Sequence, residues 1–442
     1  MELRDFIFTP ITILLVFIGA YWLRPYVTDT INRRYFIPAL VVKILGALVL
    51  GFIYQYYYQG GDTFNYSQGS RIIWESFMED PRTGLKLIFG SLENDLGLYK
   101  YSSRILFFPD PSTYFVVRIA AFFDLITFSS YSATAVLFSV ISFAGIWMLF
   151  LTFYKQYPHL HRSIAIATFF IPSVFFWGSG LLKDTIILGC LGVATYYLHH
   201  LFIERRMSIS AVLILLLAIV VIYKVRVFVL QAFLPAAILW IMANSFGFIR
   251  SLLLKFMIMP FGIAILVISA YYAVVKIGED NAKYSVTNLA KTSRITAYDI
   301  GFFSGRNAGS RYSLDVVQWT PEGMVLAAPA AINVSLFRPY LWEIRNPLMF
   351  MSALESTFLL LFSLYVFVKN FKHIISIFSN YNVLFCLAFS ITFAFAIGIS
   401  TFNFGTLTRY RIPLLPFYFL ALVIMDDHSN KVRKFSALER TE

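Results

Sequence analysis

In a chain of 442 residues, 59% of them hydrophobic and 14% charged, the side chains able to do chemistry are few and oddly placed. The stretch "YYYQGGDTFNY" (56–66) closes a long apolar run with Gly60, Gly61 and a single carboxylate, Asp62. Glycine adopts backbone angles closed to other residues, so the chain can leave a helix sharply there and hold Asp62 among Tyr54, Tyr56, Tyr57, Tyr58 and Tyr66. A carboxylate in a partly apolar setting can act as a general base toward a hydroxyl. The same residues also fit an interfacial aromatic belt with a solvated turn aspartate.

The cations are equally particular. Lys224 and Arg226 fall in a connection of a few residues between two apolar runs, where guanidinium and ammonium groups suit phosphate oxygens and also suit snorkelling to lipid headgroups. "PSVFFWGSGLLKDTIIL" (172–188) sets Lys183 and Asp184 at the start of an apolar helix. A carboxylate in a first turn is favoured by the helix dipole, which leaves Lys183 as the better ligand. "FRPYLWEIRNPLMFMSALES" (337–356) clusters Arg338, Glu343, Arg345 and Glu355, and Glu355 lies inside an apolar run, where a charge needs a partner such as a nearby arginine. "GTLTRYRIPLLPF" (405–417) brings Arg409, Tyr410 and Arg411 to the start of the last apolar run, a setting for an anionic headgroup.

What must position these residues is a membrane bundle. Mean hydropathy is +0.71, and apolar runs recur at the roughly 17–25 residues needed to cross a hydrocarbon core. The expected fold is all-α and polytopic, with about eleven spans: 6–23, 36–57, 132–153, 163–178, 181–203, 208–223, 226–244, 256–276, 349–368, 382–401 and 411–425. No small-residue cleavage site follows the first run, so it is expected to remain as a span. With no repeat and no linker of low complexity, 1–442 reads as a single integral membrane domain. Apart from Glu355, ionisable residues are expected at span ends.

An outside N-terminus and a cytoplasmic tail (426–442) put Arg24, Arg33, Arg34, Lys155, Arg162, Arg205, Arg206, Arg250, Lys255, Lys369 and Lys372 on the inner side, as the positive-inside rule asks. The net charge of +12 is thereby assigned to membrane topology, and no nucleic-acid partner is expected. The long segments 58–131 and 277–348, and all the motifs above, fall on the outer face. "SQGSRIIWESFMED" and "TYFVVRIAAFFDLITF" in the first segment have helical apolar spacing and are expected to lie as short helices in the interface. "VLAAPAAINVSLF" in the second is too short and proline-broken to span and can re-enter the membrane. All six histidines (His159, His161, His199, His200, His373, His428) fall on the inner side, which disfavours histidine catalysis or zinc at the outer face. Cys190 and Cys386 lie within apolar runs, as core packing rather than a disulfide or a metal site.

"GGDTFNYSQGS" resembles the G-x-D-x-x-x-Y pattern in the first outer loop of C-type membrane glycosyltransferases and related polysaccharide polymerases. "TRYRIPLLPFYFLAL" is similar to the R-Y-R-x-P-x-x-P sequence that introduces a late span in many bacterial members, and "FRPYLWE" with "ALES" is similar to segments of other bacterial membrane proteins. The resemblance covers about a tenth of the chain. It implies an inverting transferase of the bacterial cytoplasmic membrane, moving a sugar from a polyprenyl-phosphate-linked donor to a glycan or lipid acceptor at the outer face. Asp62 maps onto the family's loop aspartate, and Arg409 and Arg411 onto its arginine motif. The chain departs from the pattern in having an extra span before the loop, and Thr63 where many members carry a second carboxylate. No cofactor is required by the sequence, though Asp62 with a lipid phosphate is a donor set for a divalent metal ion. A flippase for lipid-linked oligosaccharide is the alternative, and it needs a polar path at mid-membrane depth.

Overall fold

The computed structural model describes residues 2–90, 96–247, 294, 295, 298, 310–314, 320–371 and 380–438, without the side chains of 96, 246, 247, 321, 322 and 428–438. The expected span 256–276, most of the segment 277–348, and Arg250, Lys255, Lys372, His373 and the side chain of His428 lie outside the described residues. The chain is all-α, and its contacts cluster into two compact units, Met1–His199 with Ser208–Arg226, and His200–Met207 with Val227–Glu442.

The first unit contains α1 (Leu3–Val27), α2 (Arg33–Tyr56), α3 (Asp62–Glu79), α4 (Pro81–Phe89), α5 (Tyr99–Ser102), α6 (Pro111–Thr127), α7 (Tyr131–Gln156), α8 (His161–Phe169), α9 (Pro172–Trp177), α10 (Lys183–Leu198) and α11 (Ile209–Val225). The second contains α12 (Val227–Gly247), α13 (Pro321–Leu326), α14 (Ala328–Phe337), α15 (Pro347–Asn370), α16 (Tyr381–Thr401), α17 (Phe404–Tyr410) and α18 (Leu415–Leu438). A π-helical turn, His199–Ile203, prolongs α10. Among the described residues seven helices are long and apolar enough to cross a membrane, and α17 with α18, bent by 66°, makes an eighth.

The expected spans differ from the observed helices where proline intervenes. The run 163–178 splits into α8 and α9 because Pro172 has no N–H to donate and holds Ile171 extended (φ −73°, ψ 122°). The run 411–425 begins instead with the bend at Arg411–Leu414, where Pro413 interrupts the ladder. The run 208–223 is α11, which at 17 residues falls short of the seven helices long enough to cross. The expected helices in 58–131 are present as α3 and α6.

In the first unit α1 is little covered by other helices along most of its length, with Phe6, Leu14, Ile18 and Trp22 exposed, an apolar face suited to lipid. Its start is fastened by Asp5, which accepts from Ser130 Oγ at 2.8 Å and from the Ser132 N–H at 3.1 Å. The bundle centre is the α7–α10 crossing, where a Cβ on Gly145 would stand 1.8 Å from the Gly189 carbonyl oxygen, so only glycine permits the approach.

Helix α3, which starts at Asp62, packs on α6 beside a buried carboxylate, Asp124. Its Oδ1 accepts from Thr134 Oγ1 at 2.6 Å. Burial raises the Asp124 carboxyl to about 6 despite hydrogen bonds and the Arg71 guanidinium that work the other way. A carboxyl whose folded value exceeds its unfolded one contributes stability while protonated and loses it as pH rises through the folded value. The thermal midpoint is therefore expected to fall as pH rises from about 4 to about 6. Asp124→Asn should flatten that dependence, read by melting the purified protein across the window.

The second unit is held by aromatic packing and a few buried polar pairs. Trp240 stacks on Phe385 with ring centroids 4.3 Å apart, and its Nε1 donates to Asn382 Oδ1 at 2.9 Å. Helix α14 rests on α16 through Ser335 Oγ, which donates to the Ala394 carbonyl at 2.7 Å. Proline-broken and only ten residues long, α14 does not reach a span length.

Candidate functional site

The end of α2 makes the first part of the site. Tyr57 and Tyr58 both donate their N–H to the Ile53 carbonyl, and the Gly60 N–H turns back to the Tyr54 carbonyl at 3.0 Å. Three consecutive residues then take positive φ: Gln59 at 55°, Gly60 at 141° and Gly61 at 118°. Gly61 has a second reason to lack a side chain, since a Cβ there would lie 2.9 Å from the Tyr54 ring. With the direction reversed, α3 begins at once and Asp62 occupies its first turn, where a carboxylate is favoured by the dipole. Thr63 and Tyr131 join their hydroxyls at 2.9 Å and pin this start to α7.

A cleft of about 440 Å³ opens here, lined by Tyr54, Tyr58, Gln59, Gly60, Gly61 and Asp62. Asp62 is half-buried, and Tyr58 is exposed. The Tyr54 ring is set edge-on to Trp177 at 6.3 Å and packs on Tyr58 at 5.1 Å. Tyr66, one turn further along α3, is buried against Phe107 at 4.9 Å, so it supports the helix and is not part of the cleft wall.

The second part lies in the same unit, where the N-termini of α6 and α10 meet the C-terminus of α11. Lys183 donates to Ser112 Oγ at 2.8 Å and Thr113 Oγ1 at 2.6 Å, with Asp110 Oδ2 at 3.6 Å. Arg226 reaches Asp184 at 2.8 Å, and Asp184 is wholly buried. The cations are thus matched one to one by carboxylates, and Lys183 keeps partial exposure whereas Arg226 is buried. Lys224 points outward from α11 and is exposed. Asp110 was not singled out in the sequence. Its signal was the helix-opening pattern "DPST", an N-cap aspartate followed by proline.

Lys43 was also missed, and it overturns the expectation that only Glu355 stands inside a span. It lies at the middle of α2, is 2% exposed, and donates to Ser142 Oγ at 3.0 Å and to the carbonyls of Gly178 at 2.8 Å and Val174 at 3.2 Å. No carboxylate pairs with it among the described residues. The ammonium caps the carbonyl end of α9 and holds the turn that follows it against the middle of α2, which ends at Tyr56.

No protein-family model, curated protein or solved structure matches the chain.

The remaining expected residues fall in the second unit. Arg338 grips Glu343 through both Nε and Nη2, and the Tyr340 N–H donates to the same carboxylate at 2.9 Å. Burial opposes ionisation of Glu343, but Arg338 and the Tyr340 N–H outweigh it and hold the carboxyl below its ordinary range. Arg411 is 1% exposed and donates to Glu355 Oε1 at 3.0 Å, Ser356 Oγ at 2.8 Å and the Arg338 carbonyl at 3.1 Å. In this arrangement Arg411 ties α15 to the α17–α18 bend, and Glu355 has the arginine partner its depth calls for. Arg409 lies over the Tyr410 ring at 5.5 Å, both half-buried, while Arg345 is exposed. The structure therefore joins Arg338 with Glu343 and Arg411 with Glu355 in the second unit, and Lys183 with Asp110 and Arg226 with Asp184 in the first.

Among the described residues no group of three or more His, Cys, Asp or Glu side chains converges as a metal site.

Proposed function

We propose that the chain is a membrane glycosyltransferase that moves a sugar from a polyprenyl-phosphate-linked donor to a hydroxyl of a glycan or lipid acceptor, at the outer face of a bacterial cytoplasmic membrane. The observation that carries this reading is Asp62, a half-buried carboxylate on the wall of a tyrosine-lined cleft at the end of a crossing helix. Asp62 takes the proton of the acceptor hydroxyl. The oxygen attacks the anomeric carbon from the face opposite the phosphate, the bond from that carbon to the phosphate oxygen breaks, and the polyprenyl phosphate leaves with the electron pair. Lys183, a partly exposed cation of the first unit, steadies the charge that builds on the departing phosphate. The isoprenoid tail lies among the crossing helices. Repetition of the same step on a growing chain would make the protein a polymerase.

Reconstituted in liposomes with a labelled polyprenyl-phosphate sugar, Asp62→Asn is expected to lose at least about a hundredfold in transfer while inserting and melting like the wild type. Near-normal turnover by that variant would remove Asp62 as the base and this reading with it. The alternative, a flippase for lipid-linked oligosaccharide, gains a mid-depth cation in Lys43. Three acceptors already engage that ammonium, and it is sealed from any path. Translocation of a labelled glycolipid that persists in Asp62→Asn would favour the flippase.

A further inference from the structure

Gln59 holds the left-handed backbone region at φ 55°, where a side chain crowds its own carbonyl and glycine is the natural occupant. Glycine is plainly acceptable in this turn, because the next two residues are Gly60 and Gly61. At three of the four other non-glycine residues with positive φ the fold offsets the same strain by packing, while the fourth, Arg205, is exposed like Gln59. Phe128 stacks on Phe8 at 4.7 Å, Phe402 on Tyr312 at 5.8 Å, and Ser129 is buried beside Arg71. The left-handed turn at Gln59 lets the Gly60 N–H bond back to the Tyr54 carbonyl and close α2, but its side chain is exposed and makes no hydrogen bond among the described residues. Residues held in sparsely populated backbone regions cluster at active sites and ligand clamps.

Gln59 lines the cleft together with Asp62. The cleft lining carries one carboxylate and no cation, so it repels a phosphate and suits a neutral ligand. The exposed Tyr58 ring, backed by the buried Tyr54, offers an apolar face for the C–H groups of a sugar ring, and a glutamine amide both donates to and accepts from hydroxyls. Resting on the transferase reading, we infer that this cleft is the acceptor subsite for a neutral saccharide, and that Gln59 binds the hydroxyls flanking the one that Asp62 deprotonates. The lipid phosphate then belongs to the Lys183 side and not to the cleft.

The test separates this inference from the reading it rests on. Wild type, Gln59→Gly and Gln59→Asn are placed in nanodiscs and titrated with a panel of neutral mono- and disaccharides. Intrinsic fluorescence is followed, for which Trp177 beside Tyr54 is the local reporter. Wild type is expected to saturate with at least one saccharide. Gln59→Gly is expected to bind it about tenfold more weakly or worse, with a melting temperature equal to or above wild type, since glycine relieves the strain. Gln59→Asn, which keeps an amide and tolerates the backbone, should recover part of the affinity. Wild-type affinity in Gln59→Gly, a lowered melting temperature in that variant, or no saturable response by wild type to any saccharide would each overturn the inference. Saccharide binding that depends on Gln59 in a protein that transfers no sugar would uphold the saccharide site and overturn the transferase, and with it the acceptor role.

Discussion

Arg411→Met is expected to destabilise the second unit by about 3–5 kcal/mol, the range for removing one partner of a buried ion pair. The guanidinium is 1% exposed and serves Glu355, Ser356 and the Arg338 carbonyl at once. Methionine fills much of the space and leaves the Glu355 carboxylate buried without its counter-ion. A lysine would not serve as well, because one ammonium cannot present the planar fork that reaches three acceptors. The double variant Arg411→Met/Glu355→Met should recover most of the loss, since the stranded charge is gone. The Arg338 carbonyl still accepts from Ser356 Oγ at 3.1 Å. Denaturant or thermal midpoints of the two variants in one detergent decide the matter. A double variant no more stable than the single one would mean that Glu355 is not the cost. The outcome also bears on chemistry: a residue needed to hold α15 to the α17–α18 bend is poorly placed to let go of Glu355 for a lipid phosphate.

Much of the scaffold was legible because membrane solvent is strict. Apolar length alone locates α1, α2, α7, α10, α12, α15 and α16, since a helix that crosses hydrocarbon must satisfy its own backbone. The turn at "QGGD" was legible for a different reason, two adjacent glycines at the end of an aromatic run. Averaged hydropathy hides the break at Ile171, although Pro172 was there to be seen, because both halves are apolar. It hides Lys43 in the same way, inside "ALVVKILGALVL". The partners of that lysine lie 99 to 135 residues away, and no local pattern announces a contact made across the bundle. The pairing of Arg226 with Asp184 was hidden likewise. Each looked like a ligand or a cap by itself, and only their meeting at the α10–α11 end makes them a neutralised, buried couple.

Lys43→Glu is expected to leave no folded protein. The ammonium sits against two carbonyl oxygens and a serine hydroxyl, wholly buried and with no carboxylate partner among the described residues. A carboxylate there has only acceptors to offer to two acceptors, and its burial uncompensated costs more than about 5 kcal/mol, the lower end of what holds a domain together. The expected observation is aggregate in place of a monodisperse peak in size-exclusion chromatography. Lys43→Met separates the two terms that compete at this position. It removes the expense of burying a charge without a counter-ion, and it also removes the donors at the end of α9, leaving the Gly178 carbonyl facing a methyl group. Hydrogen bonds from a charged donor contribute about 1.5–3 kcal/mol each, and three are lost, so the loss wins and the variant is expected to fold with a lowered midpoint. A raised midpoint would mean that the ammonium is a net burden on the bundle. In that case the reason for a lysine at 43 would have to lie in what it does to the turn carrying Lys183, and not in stability.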